Sequence, residues 1–242
     1  MLNNPNKDDL IAIAYEIMIL VVGLCFLFCS DNSFLINVSA SLIATGITLL
    51  LNTILVSWRS SKKAELDKWG LTKIYKTRQT KGNETDPLIR KIKYKFDIVA
   101  FGLRSLRDRN SKDLEDVLKR GINIRIITMD PESDLIAQRE MEEGAGNGHI
   151  KKSIEDLIKW AKKLNDEDLG GKILIKGYKC MTLDFYYRMD REIYVGPYWF
   201  GIESQQTITF RFEEGKEGFS TYENYFEKLW NSTENFRNLL VD

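Results

Sequence analysis

The sequence predicts a membrane-anchored α/β protein: a two-helix transmembrane hairpin, then a cytoplasmic domain whose mixed sheet is flanked by helices. Three observations carry this. Two apolar runs, Leu10–Phe28 (LIAIAYEIMILVVGLCFLF) and Leu35–Val56 (LINVSASLIATGITLLLNTILV), stand near the start. At about 1.5 Å per residue each reaches roughly 30 Å, the thickness of a bilayer's hydrocarbon core. A basic cluster, Arg59, Lys62, Lys63 and Lys68, comes after the second run, whereas the link Cys29–Phe34 holds no Lys or Arg. Beyond it, short apolar stretches alternate with amphipathic ones and are punctuated by glycine.

These observations divide the chain into an anchor (1–58, spans about 10–28 and 35–56), a juxtamembrane helix and linker (59–86) and a cytoplasmic α/β domain (87–242). Positive charge marks the cytoplasmic side, so both termini are expected in the cytoplasm, with a lipid bilayer as partner. Trp58 falls at interface depth. The first run does not read as a signal peptide: only Lys7 precedes it, Asp8 and Asp9 come directly after that lysine, no A-x-A pattern ends the run, and a second span comes at once.

Each span carries polar groups. Glu16 lies beside Tyr15 in the first; a functional carboxyl and an interfacial one are both open readings. In the second, Asn37, Ser41, Thr45, Thr48 and Asn52 recur every three or four residues and share one helical face. Such a stripe favours helix association in lipid. Self-association into a homo-oligomer is expected, with packing against the first span alone as the alternative.

Composition excludes several classes. Lys+Arg and Asp+Glu both number 35, for a formal net charge of zero. That gives no electrostatic case for nucleic acid, and no nucleic-acid partner is expected. The three cysteines (Cys25, Cys29, Cys180) form neither a disulfide framework nor a zinc pattern. The single histidine, His149, stands after a GAGNG loop (144–148) that lacks the Gly-Lys-Ser/Thr of a phosphate loop. No metal or cofactor is expected.

Taken in order, Arg59–Arg78 reads as a polar helix, Lys81–Asp86 as a turn and Pro87–Lys93 as a short helix with proline in its first turn. Phe96–Phe101 and Ile122–Thr128 read as buried strands around a helix that Ser111 starts and Gly121 ends, a parallel crossover. Asp134–Glu143 and Ile150–Asn165 are helical. Further strands come at Lys172–Lys176, Thr182–Arg188, Glu192–Val195 and Thr207–Phe212. Ser220–Leu240 reads as a closing helix with Ser220 and Glu223 as a capping box.

The order of elements from Phe96 to Trp230 resembles one half of a phospholipase D-like fold. That superfamily carries His-x-Lys-x4-Asp on a strand, with a Gly-Ser pair about six residues later; its His is the nucleophile and its Lys binds phosphate. Here Asp190 takes the Asp position and Gly196 the Gly. Leu183 stands for His, Phe185 for Lys and Pro197 for Ser. There is no second copy. GLRSLRD, RIITMDPESDLIAQRE, RMDREIYVGPYWFG and SQQTITF look like membrane-anchored bacterial members lacking the catalytic motif. The resemblance implies a non-enzymatic antiphage effector, with a small signal, such as a nucleotide second messenger, triggering damage to the inner membrane. The alternatives are an anchored phosphodiesterase or nuclease and an anchored protein-interaction module.

In an open parallel sheet, ligands lie beyond the carboxyl ends of strands. Arg104, Ser105, Asp130, Arg188, Tyr198, Gln205 and Gln206 fall there, with arginine for phosphate, an aromatic for stacking and amides for base edges. The alternative is that Arg104 and Arg188 pair with Asp130, Glu140 or Asp190 to brace the sheet.

Overall fold

The structure, a computed structural model, describes residues 7–29, 32–144, 146, 148–181 and 183–240, leaving the side chains of 7–9 and 57–63 aside. The expectations for Trp58 and for the side chains of Arg59, Lys62 and Lys63, with parts of the 144–148 loop and Thr182, lie outside the described residues. The chain divides into two compact units, Met1–Asp67 and Lys68–Asp242.

The first unit holds helix α1 (Lys7–Cys29) and most of helix α2 (Ser33–Trp69). Leu10–Cys29 and Ser33–Val56 are long and apolar enough to cross a membrane. Asn32 starts α2 by accepting the Phe34 amide at 2.9 Å. The two helices meet closely where side chains are missing. A Cβ on Gly23 would lie 2.9 Å from Ile43, and one on Gly46 2.7 Å from Leu20. Glu16 is buried in this seam, accepting from the Thr53 hydroxyl at 2.6 Å, and its second carboxyl oxygen has no partner. Asn37, Ser41, Thr45, Thr48 and Asn52 are all exposed, while Ser39 and Gly46 are buried. Ser41 and Thr48 donate to carbonyls one turn back, those of Asn37 and Ala44. The stripe therefore does not pack against α1.

The second unit is built on an eight-stranded mixed sheet. Its strands are β1 (Leu71–Tyr75), β2 (Phe96–Val99), β3 (Ile124–Met129), β4 (Ile173–Tyr178), β5 (Phe185–Met189), β6 (Glu192–Gly196), β7 (Thr209–Glu213) and β8 (Phe236–Asn238), in the order β1-β7-β6-β5-β2-β3-β4-β8. β2, β3 and β4 are parallel, and every other pairing is antiparallel. The helices are α3 (Arg78–Thr85), α4 (Arg104–Lys119), α5 (Leu135–Glu143), α6 (His149–Asp166) and α7 (Glu217–Asn231), with a 3-10 turn at Asp86–Lys91. One core packs Phe96, Ile98, Ile124, Ile126 and Tyr187 against Leu114, Leu118 and Leu157; the other packs Val99, Ile127, Met129 and Tyr186 against Phe219 and Phe226. Alternation along each strand sends side chains to the two layers in turn.

Three local expectations give way. The polar helix ends at Trp69, not Arg78: Gly70 adopts φ +71° and the chain turns into β1, where Tyr75 is buried beside Tyr194. Lys81–Asp86 falls largely in α3, which Thr77 caps by accepting from the Thr80 amide at 3.1 Å. The closing helix stops at Asn231 and its tail forms β8, completing the free edge of β4 with Phe236 on Tyr178. In the first and third cases long-range pairing overrides local propensity; in the second a local cap extends a helix over a stretch that reads as a turn. The helix expected from Ser111 begins as α4 at Arg104, with a kink at Asn110 (φ −121°, ψ 18°) just ahead of Ser111.

Candidate functional site

A cavity of about 420 Å³ opens in the second unit at the carboxyl end of β2. Its back wall is the Ala100–Leu103 turn, where a Cβ on Gly102 would stand 1.9 Å from the Ser153 hydroxyl of α6. Only glycine allows that approach. Arg107 locks the turn, its Nε donating to Gly102 O at 3.0 Å and its Nη2 to Ser153 O at 3.4 Å. Leu103 sits at φ +49°, a conformation costly for a branched side chain. The chain then enters α4 with no side-chain cap, so the first turn of α4 presents its free amides among the cavity-lining residues Arg104, Ser105 and Leu106. The neighbouring start of α6 is treated differently: the buried Glu140 carboxylate accepts from the amides of Gly148 (2.6 Å), Ile150 (2.7 Å) and Lys151 (3.2 Å).

Two cations from α3 form the floor. Arg78 is 5% exposed, and its guanidinium lies 4.0 Å over the Phe185 ring and 4.6 Å from that of Tyr198. It donates to Thr207 Oγ1 at 2.9 Å and Pro197 O at 3.4 Å, while its buried Nε has no partner. Lys81 is 3% exposed; its Nζ stands 3.3 Å from the Tyr187 ring centre, 4.9 Å from Tyr194 and 5.6 Å from Phe185. Among the described residues no carboxylate lies within 4 Å of either cation. Glu143, which also lines the cavity, is already held by Arg139 at 2.6 Å and by the Ser204 hydroxyl. Burial lowers the pKa of Arg78. Burial also pushes Lys81 down to about 7; Asp86 opposes this and the Arg78 charge reinforces it. Asp86 is itself raised by burial, against the pull of Lys81 and Arg109.

Of the residues singled out from sequence, Arg104, Ser105, Tyr198 and Gln205 line this cavity. Arg104 is exposed, 3.6 Å from Asp108. Asp130, Arg188 and Gln206 lie elsewhere. Asp130 is fully buried at the end of β3, accepts from Nε and Nη2 of Arg237 and from the Glu132 amide at 2.9 Å, and ties β8 to the sheet. Burial alone would raise its pKa; Arg237 and the Glu132 amide outweigh it and lower it. Arg188 pairs with Glu223 of α7 and donates to Asp190 O at 2.9 Å. Gln206 is exposed in a short 3-10 turn. Arg78 and Lys81 escape the sequence reading because their stretch reads as a polar helix and a turn; the Thr77-x-x-Thr80 cap is the signal for a separate helix.

The retained motif positions have structural roles. Asp190, at φ +49°, accepts from the amides of Lys93, Tyr94 and Lys95 at 2.7–3.0 Å. Gly196 leaves room for Ile208 O, 2.2 Å from where a Cβ would stand. Phe185, at the Lys position, is the ring beneath Arg78.

No family model and no curated protein matches the chain. Among solved structures it is similar to TrmBL2, an archaeal chromatin protein showing a novel mode of DNA binding (TM-score 0.42, 10% identity, 79% of this chain and 68% of that one). It is similar to NucT from Helicobacter pylori (0.42, 14%, 69% and 97%). It is also similar to phosphatidylserine synthase of Haemophilus influenzae Rd KW20 (0.42, 10%, 63% and 35%). One expectation is corrected by these neighbours. The exclusion of nucleic acid as a partner is overturned by the DNA-binding chromatin protein and NucT among them. Its physical basis was also too coarse: a zero net charge averages over the chain and does not describe local clusters such as Arg78, Lys81 and Arg104.

Proposed function

We propose that this protein is a non-enzymatic sensor and effector of the bacterial inner membrane, multi-pass, with both termini in the cytoplasm. Its cavity binds a small phosphate-bearing signal of nucleotide type, and its two apolar helices assemble with those of other copies to disturb the membrane in antiphage defence. One observation carries the binding half: Arg78 and Lys81 are buried without a carboxylate partner beside an uncapped helix start. A buried cation is costly unless its charge is met. A phosphate oxygen meets it through charge-assisted bonds, and the free amides of α4 favour the same charge. Phe101 and Tyr198, 4.7 Å apart, offer ring faces for a base. The membrane half rests on the exposed stripe Asn37, Ser41, Thr45, Thr48 and Asn52: the hydroxyls of Ser41 and Thr48 donate within their own helix, and the amides of Asn37 and Asn52 are the groups that gain most from a partner on another helix in lipid. The silent-enzyme half rests on Leu183 and Phe185, which can act neither as nucleophile nor as general acid or base.

The test uses the full chain in lipid nanodiscs. Cyclic mono- and dinucleotides are screened by thermal shift, where a tight ligand at 100 times its Kd raises stability by about 2.7 kcal/mol. Arg78→Met is expected to remove the shift and to reduce membrane leakage in cells at unchanged protein level. A normal shift in Arg78→Met would sink this placement of the site, and phosphodiester hydrolysis by the wild-type chain would sink the non-enzymatic reading.

A further inference from the structure

We propose that Lys81 is the specificity-determining residue of the cavity and that an anion enters together with a proton, which Lys81 Nζ takes from solvent. The inference rests on the anion-binding reading above and deepens it. An amine 3% exposed, set over three aromatic rings and lacking any carboxylate within 4 Å among the described residues, is held charged only by ring faces and by the more distant Asp86. Its surroundings are of mixed sign. Arg78 from its own helix opposes the charge, Asp86 from the 3-10 turn favours it, and Tyr187 of β5 and Tyr194 of β6 present π faces. At the rim stand Arg104 and Arg109 of α4, Glu143, His149 and Glu203. Burial drives the free amine down to about 7. A bound anion supplies the missing counter-charge and raises the same group, so proton and anion bind cooperatively. A neutral ligand of the same shape gains nothing from Lys81. The cavity thus distinguishes a phosphate-bearing molecule from its unphosphorylated parent by protonation as well as by hydrogen bonds.

The probe is inorganic sulfate, a tetrahedral dianion whose own charge is constant between pH 6 and 9. The full chain in nanodiscs is labelled at lysine 13Cε and titrated with and without sulfate. Lys81 is assigned by the peak that Lys81→Met removes. The expected result is a Lys81 midpoint near 7 without sulfate that moves up by a pH unit or more with it. Sulfate affinity should fall as pH rises from the free to the sulfate-bound midpoint of Lys81, by about tenfold in all for each pH unit that separates the two midpoints, and level off above. His149→Gln should keep both effects, which separates Lys81 from the rim histidine. Three results overturn the inference: a Lys81 midpoint above 9.5 without sulfate, an unmoved midpoint while sulfate shifts other cavity resonances, and loss of the effect in His149→Gln. The second leaves the anion site standing. If sulfate moves neither Lys81 nor any cavity resonance, the anion-binding reading fails as well.

Discussion

Replacing Lys81 by methionine should stabilise the second unit. Methionine has a similar length and no charge to bury. At about 1.4 kcal/mol per pH unit, the drop from 10.5 to about 7 sets a ceiling of roughly 5 kcal/mol on the cost of holding this ammonium in the fold. The Tyr187 ring 3.3 Å away returns about 2 kcal/mol. The expected net gain in Lys81→Met at pH 7 is at most about 3 kcal/mol, or a Tm higher by up to about 6–12 °C for a unit of this size. The pH dependence identifies the cause. Lys81 is depressed in the fold, so between about 7 and 10.5 the unfolded chain binds more protons than the folded one, and wild-type stability rises with pH. The variant's advantage should therefore shrink as pH climbs and vanish near 10.5. Thermal denaturation of both full-length proteins at pH 7, 8.5 and 10 measures it. A variant less stable at pH 7, or an advantage equal at pH 7 and 10, would refute the account of Lys81 as a buried, uncompensated charge. The gain in stability should come with loss of anion binding, since the same unmet charge underlies both.

Other changes probe other parts of the fold. Asp130→Asn should cost about 2 kcal/mol at pH 7, because it leaves Arg237 facing a neutral amide. The wild-type carboxyl is depressed in the fold, so its stabilisation is present above about pH 4 and lost as pH falls through the folded pKa; denaturation curves of the two proteins should converge in acid. Gly102→Ala forces a Cβ into Ser153 and should cost about 3 kcal/mol while opening the back of the cavity, measured as a lowered urea midpoint together with lost ligand binding. Changing Asn37, Ser41, Thr45, Thr48 and Asn52 together to Leu or Val should preserve insertion and shorten the cross-linking ladder in membranes; single changes, at roughly 0.6 kcal/mol each, should show little. An unaltered ladder in the fivefold variant would remove the stripe from the account of assembly.

The apolar helices and most strands are legible in the sequence because their signals are local. Period-two alternation marks β4 and β7, a short apolar run marks β3, the Asp190 turn marks the β5–β6 hairpin, and a 3.6-residue period marks α6. The ends that sequence misreads, Leu71–Tyr75 and Phe236–Asn238, are edge strands whose only reason to be extended is a neighbour far along the chain, β7 and β4 respectively. The site divides the same way. Arg104, Ser105, Tyr198 and Gln205 stand just past the carboxyl end of a strand or past a Gly-Pro break, positions that a sheet offers to ligands and that a sequence marks. Arg78 and Lys81 have no such mark: they come from a short helix between the edge strand β1 and the Asp86–Lys91 turn, and only the fold brings them against Phe185 and Tyr187. Asp130 and Arg188 satisfy the same strand-end rule, but their partners, Arg237 and Glu223, come from elements whose positions no strand-end pattern fixes.

The contrast between paired and unpaired cations is what gives the cavity its meaning. Arg125 is met by Asp97 at 2.6 Å and Glu227 at 2.7 Å, Arg139 by Glu142 and Glu143, Arg188 by Glu223, and Arg237 by Asp130. Burial opposes the charge on Arg125, and its carboxylate partners outweigh that and raise its pKa. This chain therefore has carboxylates available and uses them at these four guanidinium groups; Arg107, which is bonded to the carbonyls of Gly102 and Ser153, holds its turn without one. At Arg78 and Lys81 it supplies a hydroxyl, a carbonyl and ring faces instead, and both pKa values move down. It also places Glu140 on the start of α6 and leaves the start of α4 open. A carboxylate within hydrogen-bond reach of Arg78 or Lys81 would stabilise the fold and close the site to anions. The unmet charge is the condition under which an anion from outside can bind with more gain than any group of the chain itself, so the destabilised floor and the proposed sensing are one property of the same two side chains.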